Sequence, residues 1–250
     1  EARPVLVNSL GGDGIDRFLP TPGVFDHVLV QAILDGKTYW LDGTRVGDSR
    51  LLTTPAAPYR WVLPLSARGE ALAQVPLLPP SLPLTIDVTD IDSTAGVDKP
   101  ARVRFQRIIR GDPGLAIRAQ LSVVSVGEAV ALIKADYRRN NSWFRPEEAN
   151  WSYDDKSAAA ILNVSGSGDL EWEPRNQKTS GSKAVGWTIF GYGFYPPDRR
   201  ERLPGQDGSL PWAIEFPVFK CIVTTLRLPP AAAGLKWDHS ADSMAQTVAG

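Results

Sequence analysis

His27 and Asp42 are the residues of this chain whose types and spacing point most directly to chemistry. They flank two apolar runs, 28–34 and 37–41, joined by Asp35-Gly36. An Asp-Gly pair between apolar runs is the signature of a two-residue type I′ hairpin turn. With that turn Leu34 faces Lys37, which puts Leu29 opposite Asp42 and His27 opposite Thr44. Side chains alternate across a strand, and directly opposed residues share a face. One face therefore carries His27, Leu29, Gln31 and Ile33 beside Thr38, Trp40, Asp42 and Thr44. His27 and Asp42 become diagonal neighbours about 7–8 Å apart at Cα, within reach of an imidazole and a carboxylate. A carboxylate that orients an imidazole is two thirds of a nucleophilic triad. The competing reading is a capped strand end or a satisfied polar pair. A loop longer by one residue would turn the two side chains to opposite faces.

The elements that must position this pair begin with a strand at 4–8 and a Gly-rich loop, Gly11-Gly12-Asp13-Gly14. The hairpin follows, then a proline-broken extended segment from Pro55 to Pro64. Away from His27, the hairpin's other face is also apolar, with Val28, Val30, Ala32, Leu34, Tyr39 and Leu41. Strands apolar on both faces belong to a covered sheet, yet no helix-like stretch occurs in the first 75 residues. This unit, 1–75, is expected to be incomplete and to expose an apolar surface. Both ends of the chain are expected to be cut ends of a longer protein.

A Pro-rich linker is expected at 76–83, and a mainly antiparallel β domain at 84–229. Its strands are predicted at 84–88, 101–110, 115–124, 158–164, 184–190, 212–216 and 219–228, with one helix at 127–139. Residues 230–250 are expected to form a flexible or truncated tail. The fold class is α+β, mainly β, with a β-sandwich-like second domain.

The chain has 250 residues, 43% of them hydrophobic and 22% charged, with a net charge of −1 and no Lys/Arg block. That balance leaves no electrostatic footprint for nucleic acid. No apolar run reaches the ~20 residues of a membrane span. Two histidines and one cysteine, far apart, give no zinc spacing. Asp87, Asp90 and Asp92 invite a calcium loop, but Ala95 and Ala101 stand where its Gly and Glu belong. No metal or cofactor is expected. Glu147-Glu148 and Asp154-Asp155 read as loop carboxylates. Cys221 lies mid-strand between bulky apolar residues, the setting of an unreactive buried thiol.

The string Ala2-Arg3-Pro4-Val5-Leu6-Val7-Asn8, with Phe25-Asp26-His27-Val28 and Tyr39-Trp40-Leu41-Asp42-Gly43-Thr44-Arg45, resembles the transglutaminase-like core. The likeness is to bacterial multidomain proteins that pair a DUF3857 domain with this core. It implies a partial papain/transglutaminase-like sheet in which His27 is the base, Asp42 its orienting carboxylate and Trp40 a substrate-binding wall. It further implies a nucleophilic Cys upstream of the His, and none lies between Glu1 and His27. The expectation is a downstream fragment that is silent without a Cys-bearing partner piece. The resemblance implies a protein or peptide substrate and a periplasmic or cell-envelope location. The alternative is a non-catalytic binding or scaffolding module with a vestigial site.

Overall fold

A computed structural model describes residues 1–9, 14–45, 51, 59–76, 82–175, 184–186, 219–231 and 237. The predicted strand segments at 187–190 and 212–216, most of the 76–83 linker and most of the 230–250 tail lie outside the described residues.

Five strands build the first sheet: β1 (Ala2–Val7), β2 (His27–Leu34), β3 (Lys37–Leu41), β4 (Trp61–Pro64) and β5 (Ala73–Gln74). They lie in the order β3-β2-β1-β4-β5, each antiparallel to its neighbour. Asp35 and Gly36 both have positive φ, +51° and +73°, as a type I′ turn requires. The register follows: Leu34 pairs with Lys37 and Gln31 with Trp40, and the ladder ends at Val30 with Leu41. The expected pairs of Leu29 with Asp42 and His27 with Thr44 are not formed, because the chain turns out of the strand at Asp42. On the other side of β2, His27 pairs with Val7 and Leu29 with Val5.

One face of this sheet carries its core. Val5, Val7, Leu29, Val62 and Val75 form a buried cluster, with Trp40, Tyr59 and Ala73 packed against it. The opposite face is open at Val28, which is 51% exposed, and at Val30 and Leu34.

The second sheet is larger. It contains β6 (Thr85–Asp92), β7 (Ala101–Arg110), β8 (Phe144–Asp154), β9 (Ala159–Gly168) and, after a short ribbon of β10 (Glu173–Arg175) with β11 (Ala184–Gly186), β12 (Lys220–Arg227). The order is β12-β6-β7-β9-β8; every pair is antiparallel except β12 with β6, which run parallel. Two helices, α1 (Gly111–Ser122) and α2 (Val126–Asn140), pack on one face of it.

Here the structure corrects the sequence reading in three places. The described part of the second unit is a sheet backed by a helix pair, not a sandwich of two sheets. Residues 115–124, expected as a strand, are mostly α1. Leu115, Ile117, Leu121 and Val123 fall at odd positions and mimic a strand's alternation, but the residues that turn inward are Gly114, Ile117 and Leu121. That stripe has helical spacing, and the Leu115–Leu121 run is rich in good helix formers. Finally, Glu147 and Glu148 belong to edge strand β8, where the register shifts between Pro146 and Glu148. A proline is tolerated there because an edge strand has spare N–H positions.

Helix α2 is close to its expected span. Ser125 caps it, its hydroxyl accepting from Glu128 N at 3.2 Å, the polar start that an orphaned first turn needs. Ala129, Ile133 and Tyr137 line its buried face against a core that includes Phe144, Val103, Ile91 and Val164.

Candidate active site

His27 opens β2, and Asp42 is the first residue beyond β3. The structure brings them into contact: His27 Nε2 lies 3.0 Å from Asp42 Oδ2. Their side chains are 23% and 14% exposed, so the pair sits at the rim of the first sheet's core. Asp42 is held from its other side by the turn it starts. Thr44 N and Thr44 Oγ1 donate to Asp42 Oδ1 at 2.9 and 2.7 Å, and Arg45 N donates to the Asp42 carbonyl at 3.1 Å. An Asp that accepts from the backbone two residues on is a standard turn former, and here that preference aims the second carboxylate oxygen at the imidazole.

These contacts decide the protonation pattern. Partial burial pushes the Asp42 carboxyl up, but the Thr44 hydroxyl, the Thr44 amide and His27 together outweigh it and hold it below the usual carboxylate value. Asp42 is then an acceptor only, so the nitrogen facing it must carry the proton. Nε2–H donates to Asp42, and in the neutral form of the ring the lone pair then lies on Nδ1. Nδ1 has no hydrogen-bond partner among the described residues. A thiol, hydroxyl or water placed within hydrogen-bond reach of it would meet a general base in a fixed tautomer.

The neighbourhood adds two groups that the sequence reading did not nominate, Tyr59 and Asp26. Tyr59 places its ring 6.5 Å from the His27 ring at 45°. Burial pushes the Tyr59 phenol up, and the charges of Asp42 and Asp26 add to that against the opposing Arg45. Asp26 accepts from Ser9 N and Ser9 Oγ at 2.7 and 2.8 Å, and these two bonds hold its carboxyl below the usual value. No hairpin register could have linked Tyr59 to the pair, since it enters from the segment before β4. Trp40 shares the His27 face through its pairing with Gln31, and it packs on the valine and leucine cluster.

Cys221, the chain's one cysteine, is half-buried in β12 opposite Ile86, in the second sheet rather than in the sheet of His27. Asp87 forms an ion pair with Arg107, while Asp92 accepts from Thr94 N and Oγ1 at its strand end. Strand alternation puts Asp87 and Asp90 on opposite faces of β6. No cluster of three potential metal-ligating side chains occurs among the described residues. None of their helices is long and apolar enough to cross a membrane. No family model, curated protein or solved structure matches the chain.

Proposed function

We propose that His27 and Asp42 are the base and the orienting carboxylate of a transglutaminase-like cysteine acyl-transfer or peptidase site, the thiol coming from a Cys-bearing segment outside these 250 residues. One observation carries the reading: Asp42 holds Nε2 at 3.0 Å and leaves Nδ1 with no described partner. That is the arrangement a thiol nucleophile needs from its base.

In the complete site the thiol gives its proton to His27 Nδ1, and the thiolate sulfur attacks an amide carbonyl of a protein or peptide substrate. His27 returns the proton to the departing nitrogen, leaving a thioester. An incoming amine or water gives a proton to Nδ1 as it attacks, and the thiol is regenerated with a new amide or a carboxylic acid as product. Through both halves Asp42 keeps the tautomer and balances the imidazolium charge. Trp40, on the same face, forms a wall for the acyl chain. The chain by itself is catalytically silent. Its setting is the bacterial periplasm or envelope, as the transglutaminase-like resemblance implies.

The test mixes the chain with the Cys-bearing piece of its parent protein and follows incorporation of a fluorescent amine, together with ammonia release, from a glutamine-containing peptide. Activity should require both pieces, vanish in His27→Ala and survive in Cys221→Ser. Turnover unchanged by His27→Ala would sink the assignment.

A further inference from the structure

Among the described residues the second sheet has helices on one face, and the other face carries an ordered polar array. Register places Val88, Gln106, Asn163 and Asn150 in one row across β6, β7, β9 and β8. Three amides in that row are linked. Gln106 Nε2 donates to Asn163 Oδ1 and Asn163 Nδ2 donates to Asn150 Oδ1, each at 2.9 Å. The next row along the strands holds Asp90, Arg104, Ser165 and Glu148, with Ser165 Oγ donating to Glu148 Oε2 at 3.4 Å. Both rows line a groove of about 400 Å³, a volume within the range of small-ligand sites.

We infer that this groove is a binding site for a neutral, hydroxyl-rich oligosaccharide.

The chemistry of the array carries the inference. After their mutual bonds, Gln106 keeps its carbonyl oxygen and one N–H, Asn163 one N–H and a lone pair, and Asn150 both N–H groups. Each amide thus keeps both donor and acceptor capacity, repeated at the strand spacing of about 4.8 Å. A hydroxyl is the ligand group that can meet either kind, since it donates and accepts. Reversing every amide still leaves each with both kinds of group, so the match does not depend on which atom of each amide is oxygen.

Charge narrows the class further. Asp90 and Arg104 stand opposite each other in the ladder, yet among the described residues neither has an ion-pair partner. With Glu148 the groove holds two carboxylates and one guanidinium. The groove therefore carries charges of both signs, and neither a polyanion nor a polycation meets a surface of uniformly opposite charge. A carboxylate accepts from adjacent hydroxyls and a guanidinium donates to ring and hydroxyl oxygens, so a neutral polyol uses all three.

The groove is also two-sided in character. Val88 closes one end of the amide row and continues to exposed Val223 on β12, and Ile86, Ile108 and Ile161 form the following row. A pyranose ring presents a C–H face and a hydroxyl rim, which fits an apolar strip beside an amide row. The amides are held by one another before any ligand arrives, which lowers the ordering cost of binding. Nothing in this inference depends on His27 or Asp42.

Isothermal titration of the purified full chain with chitohexaose, cellohexaose and maltohexaose tests it. At least one should give saturable heat, and Asn163→Ala should weaken that binding by about tenfold or more. Arg139→Ala, on the helix side, should leave it unchanged. Should Asn163→Ala lose its fold by circular dichroism, exposed Gln106→Ala gives the same readout. No saturable heat with any of the three sugars at about 5 mM overturns the inference. So does binding that neither amide variant weakens, or binding of an unstructured peptide in place of all three sugars.

Discussion

The two sheets each have five strands and a buried apolar face, but they spend their other resources differently. In the first, Val5, Val7 and Leu29 are buried behind the same face that carries His27. A pair at the rim of an apolar cluster is partly desolvated; there the 3.0 Å contact selects the imidazole tautomer, while Thr44 and His27 together hold the Asp42 carboxyl below its usual value. In the second, α1 and α2 take the apolar face, and the polar groups stand on the other, where Arg104, Gln106, Glu148 and Asn150 are exposed. Burial tunes ionisation, and exposure keeps hydrogen-bonding capacity available. A group meant to move a proton gains from the first position, and a group meant to recognise a ligand gains from the second.

The sharpest way to break this contrast is to remove the charge and keep the shape. Asp42→Asn should lower acyl transfer in the reconstituted protein by about 10³–10⁴-fold, because an amide at this position no longer selects the Nε2–H tautomer. A change of less than tenfold would mean that the pair is merely structural. Next in size are the cores. Phe144→Ala in the second sheet should cost about 3–5 kcal/mol and Leu29→Ala in the first about 2–5 kcal/mol in urea unfolding, with the first value the larger because Phe144 packs among Phe105 and Trp143. Gly166→Val should cost about 3 kcal/mol. A Cβ there would lie 2.1 Å from the Arg145 carbonyl, where β9 passes close under the shifted register of β8.

A pH series sharpens the first half of the comparison. Asp42 is ionised more readily in the folded chain than in the unfolded one. Its contribution to stability is therefore full above the unfolded carboxylate value of about 3.9 and is lost as pH falls through the lower folded value. The stability gap between wild type and Asp42→Asn should hold from neutral pH down to that point and then close. A gap of equal size at pH 7 and pH 2 would place the benefit in shape rather than charge. The smallest expected change is at the hairpin turn. Gly36→Ala, at φ +73°, should cost about 1–2 kcal/mol, while His27 keeps its Nε2–H signature in nitrogen-proton NMR.

How legible each feature was in the sequence depends on how far apart its parts lie. The His27–Asp42 contact could be anticipated because both residues hang from one turn, and Asp35-Gly36 sets its register without outside help. What could not be read was that Asp42 leaves the strand and is oriented by Thr44. Tyr59 was out of reach because no local rule connects it to β2. Helix α1 was misread as a strand because its leucines and isoleucine happen to alternate, and only packing against β7 and β9 decides between the two periods. Strand β8 was missed because Pro146 and the Glu147-Glu148 pair read as loop, which suits an edge. The amide row needed three strands brought into register, one of them unforeseen.

The parallel pairing of β12 with β6 has a consequence in time. Every pair in that ladder joins residues 135 apart, from Thr85 with Lys220 to Asp92 with Arg227. At translation rates of about 5–20 residues per second, β6 would leave the ribosome some 7–27 s before its outer partner exists. During that interval it can pair only with β7, and its other edge stands open to any strand that comes by. Nascent chains of this protein would accordingly be most vulnerable to wrong edge-to-edge association in the stretch of synthesis between these two strands, while the rest of the second core is being made.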